Sequence, residues 1–174
     1  KQEFINLVSY LSKLGSNGDF RVSNEKLVRR WKAAPDFKAL SKIDGVNTWE
    51  NLPGKKIAPG TKALYSKVAG DLPLGDIPVI TDNNGKKFSL VQFEVNILKA
   101  GEFSLKLTGV DQAKVWVSGK EISLNKGTGA TNLSVGKQWV NIVFDRDKAA
   151  SGSLMILIED GKANSAQSQI IVGQ

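Results

Sequence analysis

The chain contains no histidine and no cysteine, and these two absences together remove several kinds of chemistry. Without imidazole or thiolate there is no Ser-His-Asp triad, no cysteine nucleophile, no cysteine–histidine zinc site and no covalent c-type haem attachment within these residues. Disulfides are excluded too, so any core must hold by packing. Long apolar runs are also missing: no stretch approaches the roughly 20 residues of a membrane span, and none has a signal peptide's pattern. GxGxxG and P-loop patterns are absent, and Lys126-Gly127-Thr128-Gly129 reads as a flexible loop. What is present is 174 residues, 41% hydrophobic and 24% charged. That is an ordinary globular composition with enough chain to bury a core, one domain plus an appendage by length. The first residue is Lys1 rather than Met, which reads as a piece of something longer.

Charge divides the chain. Residues 1–70 carry 13 basic and 6 acidic side chains, and residues 71–174 carry 11 of each, so the whole +7 lies in the first part. A basic segment suits nucleic acid, an anionic membrane surface or an acidic protein partner. Here the basic residues are mostly single lysines among apolar ones (Lys26, Lys32, Lys38, Lys42), with Arg29-Arg30 and Lys55-Lys56 as adjacent pairs. No nucleic-acid-binding motif accompanies them, so a solvated basic face is the expectation and nucleic acid is not an expected partner.

The opening segment has Phe4, Leu7, Val8, Leu11 and Leu14 at helical spacing with Gly15 at the C-terminal cap position. This predicts an amphipathic helix over 1–15 whose apolar stripe needs a partner surface. A second helical pattern runs from Ser23 to Lys32, with Ser23 as N-cap, Leu27, Val28 and Trp31 on one side, and Pro35 as its stop. Residues 16–61 therefore read as a helical and loop-rich connector with one short helical turn. From residue 62 the period changes to two: Ala63 to Val68, Ile77 to Ile80, Phe88 to Leu98, Phe103 to Leu107, Ala113 to Val117, Glu121 to Leu124, Leu133 to Val135, Gln138 to Asp145, Leu154 to Glu159 and Gln169 to Val172. Asp82-Asn83-Asn84-Gly85 is a hairpin signal. About eight or nine short strands joined by turns predict a mainly β domain over 62–174, an antiparallel, jelly-roll-like β-sandwich preceded by a helical segment.

Catalysis would have to come from carboxylates, Lys, Tyr or Ser. A glycosidase needs two carboxyl groups about 5 to 10 Å apart. Asp111, Asp145, Asp147, Glu159 and Asp160 lie near predicted strand ends but nothing in the sequence pairs them, and charged strand ends are ordinarily solvated. Asp82-Asn83-Asn84-Gly85 and Asp145-Arg146-Asp147 are the richest oxygen clusters for calcium, yet neither matches an EF-hand loop and turns are the simpler reading. Trp116 and Trp139 fall on the outward side of their strands, where an indole can stack on a sugar ring. The competing reading, which is preferred, is that the N-terminal helix and connector lie across that face and bury both.

Two resemblances complete the reading. The run EFINLVSYLSKLG resembles the last helix of a class I cytochrome c domain. The segments NGDFRVSNEKLVRRW, TWENL, ALYSKVAGDLPLGDIP, VQFEVNILKAGEFSLKL, AKVWVSGKEI and SAQSQIIVGQ are similar to the tail of PVC-type haem-binding CxxCH proteins, often described as membrane-bound dehydrogenase-like. The resemblance implies a periplasmic or cell-surface parent with its haem c upstream of Lys1. It implies a non-catalytic role for this chain, docking on a preceding cytochrome c-like domain or other protein through a face bearing Phe4, Leu7, Leu11 and Trp31. AKVWVSGKEI also resembles a strand-turn-strand of PA14-like and carbohydrate-binding sandwiches, which implies glycan as an alternative partner. With Ser118 in the acidic turn position and no consecutive aspartates, the calcium-dependent form of that binding is not carried over. No cofactor is expected in the chain itself.

Overall fold

The computed structural model describes residues 26–40, 61–149, 152–161 and 167–170. In chain order these form β1 (Lys26–Leu27), β2 (Arg30–Ala33), a one-turn helix α1 (Phe37–Leu40), β3 (Lys62–Tyr65), β4 (Leu72–Pro73) and a 3₁₀ turn at Leu74–Asp76. Seven strands follow: β5 (Ile80–Thr81), β6 (Lys87–Lys99), β7 (Gly101–Thr108), β8 (Lys114–Val117), β9 (Lys120–Ile122), β10 (Thr128–Leu133) and β11 (Gly136–Asp145). A second 3₁₀ turn at Arg146–Lys148 leads to β12 (Ser153–Asp160) and β13 (Gln167–Ile170). The helix expected over 1–15 lies outside the described residues. Among those described, no helix is long and apolar enough to cross a membrane.

Two antiparallel sheets result. The larger has the order β3-β2-β6-β11-β8-β9, with β5 and β13 also pairing on β6; the smaller has β1-β12-β7-β10, with β4 on β12. From β6 onward the chain crosses between sheets at almost every connection, the winding of a sandwich. Alternation along the strands supplies its interior. Val91, Phe93, Val95 and Ile97 of β6, Val115 and Val117 of β8, and Val140, Ile142 and Phe144 of β11 meet Phe103, Leu105 and Leu107 of β7 and Leu154, Ile156 and Ile158 of β12. Each such side chain contributes about 1.5–3 kcal/mol by leaving water.

The helix expected over Ser23 to Lys32 is replaced by β1 and β2. Leu27, Val28 and Trp31 do sit at helical spacing, but Trp31 and Ala33 also fit a period of two against Arg30 and Lys32. Trp31 and Ala33 are buried while Arg30 and Lys32 are half-buried, and both β2 neighbours, β3 and β6, supply ladder partners. Tertiary pairing outweighs a weak local preference. Among the described residues of the connector, one helical turn, α1, follows Pro35. Thirteen strands stand among the described residues instead of eight or nine, because two-residue pairings such as β4 and β5 leave too short a pattern to read.

A second core lies outside the sandwich. Phe88 and Leu90 of β6, Trp116 of β8, Val143 of β11 and Ile80 of β5 face outward from the larger sheet and are covered by Ala34 and Leu40, with Phe37 edge-on to Phe88 at 6.4 Å. The first half of β6 is therefore buried on both faces, and only its second half alternates, with Glu94 and Asn96 half-exposed.

Turn glycines separate into two kinds. Gly85 (φ +79°) closes the β5–β6 hairpin with open space where a Cβ would stand, whereas at Gly127 (φ +79°) a Cβ would lie 2.4 Å from the Leu107 carbonyl oxygen. Gly85→Ala is expected to cost about 1 kcal/mol, the strain of the left-handed backbone alone. Gly127→Ala adds a backbone clash and is expected to cost about 2 kcal/mol, readable as the difference in urea midpoints. Equal midpoints would show that the β10 approach relaxes freely.

Candidate functional site

The outer face of the larger sheet carries both tryptophans. Trp116 is 6% exposed and lies beneath Ala34, Phe37 and Leu40. It points away from the sandwich interior, as its alternation with Val115 and Val117 requires, but it offers no ring surface to a sugar. Trp139 is half-buried. It stands directly across from Glu94, and its strand neighbour Asn141 stands across from Gln92. The cross-strand spacing of about 5 Å puts these four side chains in one patch. Gln92 and Asn141 are buried, and the Gln92 side-chain amide donates to the Asn141 Oδ1 at 2.6 Å. The Gln92 Oε1 is buried and has no hydrogen-bond partner within the chain, an uncommon state for a buried acceptor. Lys137 pairs with Glu94 at 3.5 Å at the edge of the patch. Beside it, Ser118 (φ +47°) and Gly119 (φ +91°) make the β8–β9 turn, and Ser118 bonds Gln138.

Trp31, expected on a docking face, is a correction. It is fully buried in the sandwich core, edge-on to Phe93 at 5.1 Å, with its indole N–H donating to the Ser66 hydroxyl at 2.8 Å. Its place on β2 turns it inward with Ala33, where a helix would have set it beside Leu27 and Val28. Phe4, Leu7 and Leu11, the other members of that face, lie outside the described residues.

The candidate acids are spread, and the buried ones have structural partners. Asp82 is buried, and its Oδ1 accepts from the backbone N–H groups of Asn84 and Lys86, both at 2.9 Å, so this oxygen cluster is a turn. Asp145 is buried, accepts from the Asp147 N–H at 2.9 Å and lies 3.7 Å from the Lys86 ammonium. Asp111 and Asp147 are exposed. Exposed Glu159 accepts from the Ser104 hydroxyl at 3.4 Å, and Asp160, the next residue, turns to the other side of β12 and pairs with Lys26. Among the described residues no group of three acidic, His or Cys side chains converges on a cation position. Asp82→Ala is expected to cost about 1–2 kcal/mol by orphaning two backbone donors. Added calcium is expected to leave the wild-type melting temperature unchanged; a rise would identify a site.

Two features escaped the sequence reading. Arg146 packs over the Phe144 ring at 5.9 Å, and burial lowers its guanidinium below the ordinary arginine value. The other is a polar cluster between the sheets. The Lys26 ammonium bonds Asp160 Oδ2 and lies 3.0 Å from Ser168 Oγ, and that hydroxyl donates to Asp160 Oδ1 at 2.7 Å. Its members come from β1, β12 and β13, with Lys26 134 residues from Asp160 and 142 from Ser168 and no spacing to reveal the set.

No protein-family model matches the chain, and no curated protein matches it. Among solved structures, an anti-sigma factor domain-containing protein is similar over 88% of this chain and 49% of its own, with 10% identity and a TM-score of 0.43. The PA14 domain of the MpAFP antifreeze protein is similar over 47% of this chain and 52% of its own, with 15% identity and a TM-score of 0.31. A family two carbohydrate esterase from Clostridium thermocellum, in complex with cellohexaose, is similar over 55% of this chain and 31% of its own, with 14% identity and a TM-score of 0.29. The chain thus spans about half the length of the first two. At these scores the likenesses carry no argument about activity, and the β-sandwich assignment rests on the two packed antiparallel sheets themselves.

Proposed function

We propose that this chain is a non-catalytic accessory β-sandwich of a larger periplasmic or cell-surface protein, one that positions a neighbouring cytochrome c-like domain or a protein partner. The observation that carries the reading is the use made of the three acids that are not exposed: Asp82 holds a turn, Asp145 caps a 3₁₀ turn and Asp160 ties strands together, so these three serve the fold. The excess of positive charge over residues 1–70 supports a docking role towards an acidic neighbour. Haem does not fit within the chain, because it has no His or Cys, and its one Met, Met155, is half-buried in β12. Any haem belongs to the parent. The test is to recover the native polypeptide with an antibody raised against this chain. A haem-staining band heavier than 18.8 kDa supports the reading, and a band of that mass without haem overturns it.

A second reading, a carbohydrate-binding module, is favoured by one observation: half-buried Trp139 stands on the outer face of the larger sheet directly across from Glu94, which pairs with Lys137. An amphipathic ring with polar groups around it suits a sugar's apolar face and hydroxyl rim. Trp116 plays no part in it. Glycan-array binding lost in Trp139→Ala would favour this reading over docking; an array without signal for the wild type would sink it.

A further inference from the structure

The polar cluster at the sheet edge has the makings of a covalent bond. Lys26 stands directly across from Ile158 on β12, so its side chain shares the inner side of the smaller sheet with Ile158 and, two residues on, with Asp160. Ser168 stands across from Ile97 on β6, so it enters from the larger sheet and is 6% exposed. One amine, one carboxyl group and one hydroxyl thus meet between the sheets, each within hydrogen-bonding reach of the other two. The side chains of Lys26 and Asp160 are each about three-quarters buried, at 27% and 25% exposure. We propose that Lys26 and Asp160 form an intramolecular isopeptide bond, with Ser168 as the residue that positions and polarises the Asp160 carboxyl group.

The step balances without any co-reactant. The reaction begins with transfer of one proton from the Lys26 ammonium to Asp160 Oδ2 within their ion pair, leaving an amine beside a carboxylic acid. The amine nitrogen attacks Asp160 Cγ, and the Ser168 hydroxyl, already donating to Oδ1, holds the oxygen that takes up the negative charge. The nitrogen then loses a second proton to Oδ2, which leaves as water, and the Oδ1 double bond reforms. An ammonium and a carboxylate have become an amide and one water. Between separate molecules in water this condensation is unfavourable. Effective molarities on the order of 10⁵–10⁸ M for groups held in contact are the term that reverses it.

A competing nucleophile is held away. In an Asp-Gly pair the following backbone nitrogen commonly attacks the aspartate carbonyl to give a succinimide, which also releases water. The Gly161 N–H instead donates to the Glu102 carbonyl at 2.9 Å, and a Cβ at Gly161 would lie 2.4 Å from that same oxygen, so the turn is seated firmly on β7. Of the two nitrogens near Asp160, Lys26 is the one aimed at the carboxyl group.

Intact-mass measurement of the purified full chain decides the matter. The expected result is a mass one water below that of the sequence, with a tryptic map in which cleavage at Lys26 is lost and a branched peptide joins its segment to the one holding Asp160. Lys26→Ala and Asp160→Ala should each run at their full sequence mass. Ser168→Ala keeps both reacting groups and is expected to slow the bond's appearance by about 100-fold. A wild-type chain at full sequence mass overturns the proposal. So does a water-deficient mass that persists in Lys26→Ala or disappears with hydroxylamine, since both mark a succinimide at Asp160-Gly161.

Discussion

Trp31→Ala is expected to lower the stability of the sandwich by about 3–5 kcal/mol, the cost of deleting a fully buried large aromatic side chain. At roughly 2–4 °C per kcal/mol for a chain of this size, its melting temperature should fall by roughly 6–20 °C. Three losses combine. The cavity sits where Trp31 meets Phe93 edge-on at 5.1 Å, so the best-oriented aromatic contact of the inner core goes with it. The Ser66 hydroxyl loses the indole donor that ties β2 to the chain just beyond β3. β2 itself links edge strand β3 to β6, and with the anchor gone both strands lose their hold on the larger sheet. Trp31→Phe separates these terms, keeping most of the packing and losing the hydrogen bond, with an expected cost of about 1–2 kcal/mol. Urea denaturation of the three chains measures both steps. An unchanged midpoint for Trp31→Ala would return this residue to a surface role and remove β2 from the core.

Trp116→Ala is the second large effect, about 3 kcal/mol, and it reads a different core. The indole fills the space between the larger sheet and the segment from Ala34 to Leu40, in contact with the cluster of Phe88, Leu90, Val143 and Ile80. Its removal should loosen α1 before the sandwich, so hydrogen exchange at residues 34–40 should accelerate more than exchange in β7 or β12. Uniform acceleration through both sheets would show that the outer cluster is not a separable unit. Trp139→Ala is the natural partner, expected to cost about 1 kcal/mol because its ring is already partly in water. The pair thus separates stability from binding, for a glycan ligand would report on Trp139 and leave Trp116 silent.

Much of the β architecture was legible in the alternation of residues 88–98, 103–107, 113–117 and 138–145. Each of these segments sends alternate apolar residues into the sandwich interior, and the matching strands are β6, β7, β8 and β11. The hairpin at Asp82–Gly85 was equally legible, because Asp82 makes its turn from its own side chain and needs no distant partner. Residues 26–33 were not. Leu27, Val28 and Trp31 suit a helical period and only Trp31 and Ala33 an extended one, and the extended form was chosen by β6, β3 and β12, which sit far along the chain.

The candidate site divides along the same line. That Trp116 and Trp139 face outward follows from alternation and could be read directly. Which of them is covered depends on where the chain after Ala33 lies, and that is a matter of packing between segments about 80 residues apart. The missing histidine and cysteine were settled by composition, which already removes thiol, imidazole and disulfide chemistry from this chain. The cluster of Lys26, Asp160 and Ser168 belongs wholly to the tertiary structure. No local pattern links three ordinary polar residues, and only the closing of one sheet over the other brings an amine, a carboxyl group and a hydroxyl within bonding reach.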